Sequence, residues 1–91
     1  MVIYDYDIND YPSNARTKVM HRELLQTMFE NYGCTVSIRG QHVEIGKKAP
    51  PGTKPLHLRI EGDTKYAVTS CFKELKKVAE EAALRNLSIT N

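Results

Sequence analysis

The chain has 91 residues, which accommodates one compact domain and little beside it. A composition of 41% hydrophobic and 26% charged residues argues against disorder, and a formal net charge of +2 is too small to hold nucleic acid by overall charge alone. No apolar run approaches membrane-spanning length, and the first residues lack a signal-peptide layout.

Tyr4, Tyr6 and Ile8 alternate with Asp5, Asp7 and Asn9, the period of a half-buried strand over 2–9. Tyr11-Pro12 ends it, and Ser13 is placed to cap a short helix over 13–20. His21-Arg22 makes the bend into a second helix, 22–32, whose Leu24, Leu25, Met28, Phe29 and Tyr32 recur at three- and four-residue steps. Gly33 stops that helix by supplying a left-handed backbone at little steric cost.

A second strand, 34–40, turns Cys34, Val36 and Ile38 one way and Thr35, Ser37 and Arg39 the other. A third, 56–61, sets Leu56, Leu58 and Ile60 against His57, Arg59 and Glu61. Gly40–Pro55 between them is long for a hairpin connection, with three glycines and three prolines. It reads as a functional loop or an extended ribbon, with Val43 and Ile45 favouring strand in its near half, and as the least ordered internal stretch. Gly62-Asp63-Thr64 caps a last helix, 64–85, whose Val68, Cys71, Phe72, Leu75, Val78, Ala79 and Ala82 form one buried face.

The order β-α-α-β-β-α is that of an α+β fold: one three-stranded antiparallel sheet with helices packed on one face. The expected core joins Leu25, Met28, Phe29, Val36, Ile38, Leu58, Ile60, Val68, Cys71, Phe72 and Leu75, with Tyr4, Tyr6 and Tyr32 also on buried faces. Cys34 and Cys71 read as reduced core thiols, which suits a cytosolic or nuclear compartment. Without internal repeats or a dividing linker, 1–91 reads as a single domain with its core in about 3–83 and its variable loop at 40–55.

Charge is unevenly distributed. Residues 1–12 hold Asp5, Asp7 and Asp10 with no basic residue, whereas 13–60 hold eight basic residues against Glu23, Glu30 and Glu44. No phosphate loop, nucleophile elbow or His-Glu-x-x-His is present, so no catalytic apparatus is expected in this chain. His21, His42 and His57 lack the spacing of a zinc site and read as solvated, so no metal and no cofactor are expected.

The unit formed by helix Glu23–Tyr32, Gly33 and strand Cys34–Gly40 is similar to the centre of a KH domain, a small RNA-binding module. The series Ile8-Asn9-Asp10-Tyr11-Pro12, Ala15-Arg16-Thr17-Lys18-Val19, Ile38-Arg39-Gly40, Gly46-Lys47, Pro50-Pro51-Gly52 and Leu58-Arg59-Ile60-Glu61-Gly62 narrows the likeness. It resembles the divergent KH-like domain at the C-terminus of DEAD-box helicases acting early in pre-mRNA splicing, and a related group of KH-containing splicing proteins. The resemblance implies a type I KH fold, a nuclear setting, a parent ATP-dependent RNA helicase, and single-stranded RNA or a splicing-factor protein as partner, with no membrane.

In the wider KH family a Gly-x-x-Gly loop before the second helix holds the nucleic-acid backbone. Here that position is Val19-Met20-His21-Arg22, and neither glycine is present. Thr17 also departs, standing where the resemblance implies a bulky aromatic. Two readings follow: an accessory domain that binds RNA weakly through a basic groove, or a protein-interaction domain on the same frame. The first rests on Arg16, Lys18, Arg22 and Arg39 around the expected groove, with Lys47, Lys48 and Lys54 adding phosphate contacts from the loop. Ordinary surface charge is the competing account of these cations.

Overall fold

The computed structural model describes residues 1–88; positions 89–91 of the expected domain lie outside the described residues. The elements are β1 (Val2–Asp7), α1 (Ser13–Val19), α2 (Arg22–Tyr32), β2 (Thr35–Arg39), β3 (His57–Gly62) and α3 (Lys65–Ser88). β3 is central, pairing antiparallel with β1 on one side and β2 on the other. α2 and α3 lie against one sheet face and α1 packs on them from the same side, the arrangement that the resemblance implied.

The strand period sorts the residues. Leu58 and Ile60 of β3 are fully buried beneath the helices, and Tyr6 and Val36 are their cross-strand partners. From α3, Val68, Cys71, Leu75, Ala79 and Ala82 descend onto them at three- and four-residue steps. Ile8, Val19, Met28 and Cys34 close the same core. Each fully buried Ile, Leu or Met contributes about 1.5–3 kcal/mol through removal from water.

The helix ends follow local chemistry, with one correction. Ser13 is the first helical residue and makes no capping bond; Pro12 is the cap. The Pro12 carbonyl accepts from the amides of Ala15 and Arg16, both at 3.0 Å, so the helix starts one position early. His21 caps α2, its Nδ1 accepting the Glu23 amide at 3.3 Å. Gly33 ends α2 at φ 70°, its amide donating to the Phe29 carbonyl at 2.8 Å. Thr64 Oγ1 accepts the Ala67 amide at 3.1 Å, the expected cap of α3.

Four expectations of burial fail. Phe29 is 53% and Ile38 48% exposed, and Tyr4 is also exposed, because periodicity marks a side and does not say what covers it. His57, expected in solvent, is only 9% exposed, with Nδ1 2.8 Å from the Pro55 carbonyl oxygen. Nor does Val43–Ile45 extend a strand. The loop holds one isolated bridge, between Gln41 and Pro55, and tight turns closed by the Lys47 and Thr53 amides.

Candidate nucleic-acid interface

Because only Gly33 and Cys34 separate α2 from β2, the strand runs back alongside the helix. Leu25 and Phe29, one helical turn apart, face Val36 and Ile38, two strand positions apart. Between them lies an open groove of about 500 Å³, with Cys34 and Met20 also lining it and Arg22, Gln26 and Thr35 adding polar groups. β2 is an edge strand, so no further strand covers this side. That is why Phe29 and Ile38 stay half in water, and the result is an apolar channel with one cation.

The junction at the head of this groove explains what the missing glycines change. Val19 is fully buried, so its side chain belongs to the core. The Met20 amide donates to the Arg16 carbonyl at 3.1 Å and the His21 amide to the Lys18 carbonyl at 3.3 Å. The Glu23 amide is taken by His21. Three amides that a phosphate could otherwise meet are thus engaged within the fold. A backbone cradle for phosphate is not formed here; the exposed guanidinium of Arg22 is the cation at this rim.

The other expected cations lie elsewhere. Arg16 is half-buried and its Nη1 donates to the Tyr11 carbonyl at 2.7 Å, a tie between α1 and the turn after β1. Lys18 borders a second recess of about 470 Å³ among α1, α2 and α3, beside Thr17, His21, Leu24 and Val78. Thr17, small where an aromatic was expected, is exposed on that recess. Lys47 pairs with Glu44 at 3.1 Å in the loop, and Lys48 is exposed nearby. Arg39 falls on the open face of the sheet, where Nε donates to Ser37 Oγ at 3.3 Å. Of the seven expected cations, Lys54 included, the groove therefore receives Arg22 alone.

On the open face the side chains form cross-strand rows: Asp7, His57, Arg39; then Asp5, Arg59, Ser37; then Ile3, Glu61, Thr35. The acids of the first two rows stand on β1. Arg59 binds Asp5 through Nε at 3.0 Å and Nη2 at 3.3 Å, and this guanidinium holds the Asp5 carboxyl below its usual range.

Asn9 and Gly40 set the loop beside this site, and the first escaped the sequence reading. Buried Asn9 accepts the Val43 amide at 2.9 Å and the Leu56 amide at 3.4 Å, and donates to the Val43 carbonyl at 2.8 Å. At Gly40, φ is 82° and an added Cβ would stand 2.4 Å from the Pro55 carbonyl oxygen. Only a residue without a side chain lets the two loop ends pinch so closely. The available signal for Asn9 was weak: an amide in place of an apolar residue where the first strand ends.

The core thiols sit behind the groove floor. Cys34 and Cys71 are free and buried, and burial pushes both thiols up, Cys71 to about 12. Among the described residues no group of three or more His, Cys, Asp or Glu side chains could hold a metal ion, and no helix is long and apolar enough to cross a membrane.

Comparison with known proteins places this geometry in context. The family described as KH-domain matches residues 2–86. The chain is 36% identical over 85 residues to the DEAD-box ATP-dependent RNA helicase 45 of Arabidopsis thaliana, covering 93% of this chain and 9% of that protein. It is 38% identical over 84 residues to DEAD-box ATP-dependent RNA helicase 42 of the same plant, covering 92% and 7%. The pre-mRNA-processing ATP-dependent RNA helicase prp5 of Aspergillus terreus is 34% identical over 79 residues, covering 86% and 7%. The chain thus spans less than a tenth of the length of these relatives.

Proposed function

This chain belongs to the KH-domain family, and from that premise we propose that it is an RNA-engaging accessory domain of a DEAD-box helicase in pre-mRNA splicing. In this reading it acts as one domain over 1–91, in the nucleus, and receives a few unpaired bases in the groove between α2 and β2. The observation that carries the reading is the half-exposed pair Phe29 and Ile38 in an otherwise ordered channel, with Arg22 at its rim. Unstacked bases lie on aromatic and aliphatic surfaces regardless of sequence, and a guanidinium fork suits phosphate.

The same geometry lowers the expected charge dependence. With the junction amides engaged and one cation at the groove, affinity for a tetranucleotide falls in the non-specific range, about 10⁻⁴–10⁻⁶ M. Log affinity should decline with log salt with a slope of about one. Anisotropy titration of single-stranded RNA tetramers at two salt concentrations tests this, with Arg22→Ala expected to remove most of the salt dependence. Tight binding unaffected by that substitution would place RNA elsewhere. The engaged amides favour a second reading, a protein-docking groove that has given up RNA, and no tetramer binding at low salt would leave that one standing.

A further inference from the structure

We infer that the open sheet face beside β2 is a second phosphate-binding surface, onto which a single strand longer than the groove continues around the free edge of β2. The inference rests on the reading that the groove holds RNA. A KH module holds about four nucleotides, so a longer strand must leave it. Cys34 lines one end of the groove; its other end lies where Ile38 stands, the next-to-last residue of β2. The next residue is Arg39, on the opposite face, and no strand lies beyond β2 to obstruct the crossing.

The cations waiting there are not neutralised in place. Arg39 is exposed and bonds only the neutral hydroxyl of Ser37; among the described residues no carboxylate forms an ion pair with it. Lys54 is exposed at the same corner, its carbonyl accepting the Gln41 amide at 3.0 Å, two residues beyond Arg39. Arg59 is held by Asp5 and the His57 ring is covered, which leaves Arg39 and Lys54 as the two available contacts. The carboxylates of the two nearest rows, Asp5 and Asp7, lie across the sheet on β1. A strand crossing from the β2 side therefore meets positive charge first.

Binding of oligouridylate tetramers and decamers, followed by anisotropy for the whole chain and its variants, tests this. The decamer should bind about tenfold tighter than the tetramer, with a salt slope steeper by about two. The double substitution Arg39→Ala with Lys54→Ala should abolish that gain and leave tetramer binding unchanged, while Arg39→Lys should keep most of it. Tetramer binding without any gain for the decamer would overturn the second surface and spare the groove. So would a gain that survives the double substitution. Failure of the tetramer alone, with a decamer that depends on Arg39 and Lys54, would overturn the groove and with it the continuation from the groove, leaving these cations as a separate site. No binding of either length would overturn both.

Discussion

Along β1 the helix side of the sheet is roofed by rings, Tyr4 and Tyr6 each edge-on to Phe72 with centroids 4.8 and 5.0 Å away, whereas along β2 nothing covers Phe29 and Ile38. The β1 roof is fastened as well: the Tyr6 hydroxyl donates to that of Tyr11 at 2.7 Å, and Lys76 Nζ stands 6.0 Å from the Phe72 ring. Asp5 and Asp7 line the other face of β1, charges of the kind that discourage stray pairing at a sheet edge. The two edges therefore differ in degree: on β1 Tyr6 is buried under Phe72 with Tyr4 partly exposed beside it, whereas Phe29 and Ile38 both stay half in water. What sets the β2 side apart is that its exposed apolar side chains line a groove, the kind of surface that marks a contact site.

Removing one ring from each edge is the strongest way to break this contrast. Tyr6→Ala, at a buried position, should cost about 3–5 kcal/mol in denaturant unfolding and leave RNA tetramer affinity per folded molecule unchanged. Phe29→Ala should cost less than about 1 kcal/mol of stability but weaken the tetramer by about 1–3 kcal/mol, the worth of a base stacked on an aromatic. Equal stability losses would mean the two edges are packed alike.

Asn9→Ala is the next test, since it leaves the Val43 and Leu56 backbone groups without their partner. The expected cost is about 1–3 kcal/mol, with faster amide exchange at Val43 than in β1. Exchange at Val43 as slow as before would mean the loop is held by other contacts.

The smallest effect is a pH dependence that separates the edges. The folded state raises the Cys71 and Cys34 thiols, so it keeps protons that an unfolded chain releases near about pH 8.5. This stability is complete below that pH and declines as pH rises toward 12, the folded value of Cys71. Burial and the Tyr11 hydroxyl also push the Tyr6 phenol up, so the β1 side adds its own decline above about pH 10. Melting temperature between about pH 8.5 and 10 should fall less steeply in Cys71→Ala, and Tyr6→Phe should alter only the region above.

Most of the fold was legible because its signals are local. Period two marked all three strands, the three-four step marked α2 and α3, and Gly33 and Thr64 marked helix ends. What failed was the question of coverage. Phe29 and Ile38 carry core-like periodicity, yet the covering element would have to lie beyond β2, and strand order is not written in local pattern. Conversely, His57 looked solvated because the Pro55 carbonyl beside it depends on how the loop closes. Arg39 could have been placed correctly, since alternation with Ile38 already sets it on the opposite face. Arg16 and Lys18 could not, because their fate depends on how α1 packs against α3 and the β1 turn.

The central position of β3 has a consequence for how the chain acquires its structure. β1 and β2 make no ladder with each other; both wait for residues 57–62, so Tyr4 must find Ile60 across more than half the sequence. Such distant pairing slows folding relative to helical bundles of equal size, because loop closure comes before its reward. During synthesis, the segment up to Pro55 has emerged with two unpaired strands and an exposed α2, and neither edge exists until β3 arrives between them. With synthesis halted in the variable loop, this part of the chain would accordingly hold α1, α2 and two unpaired strands without a core, and the groove would appear in one cooperative step once β3 and α3 are present.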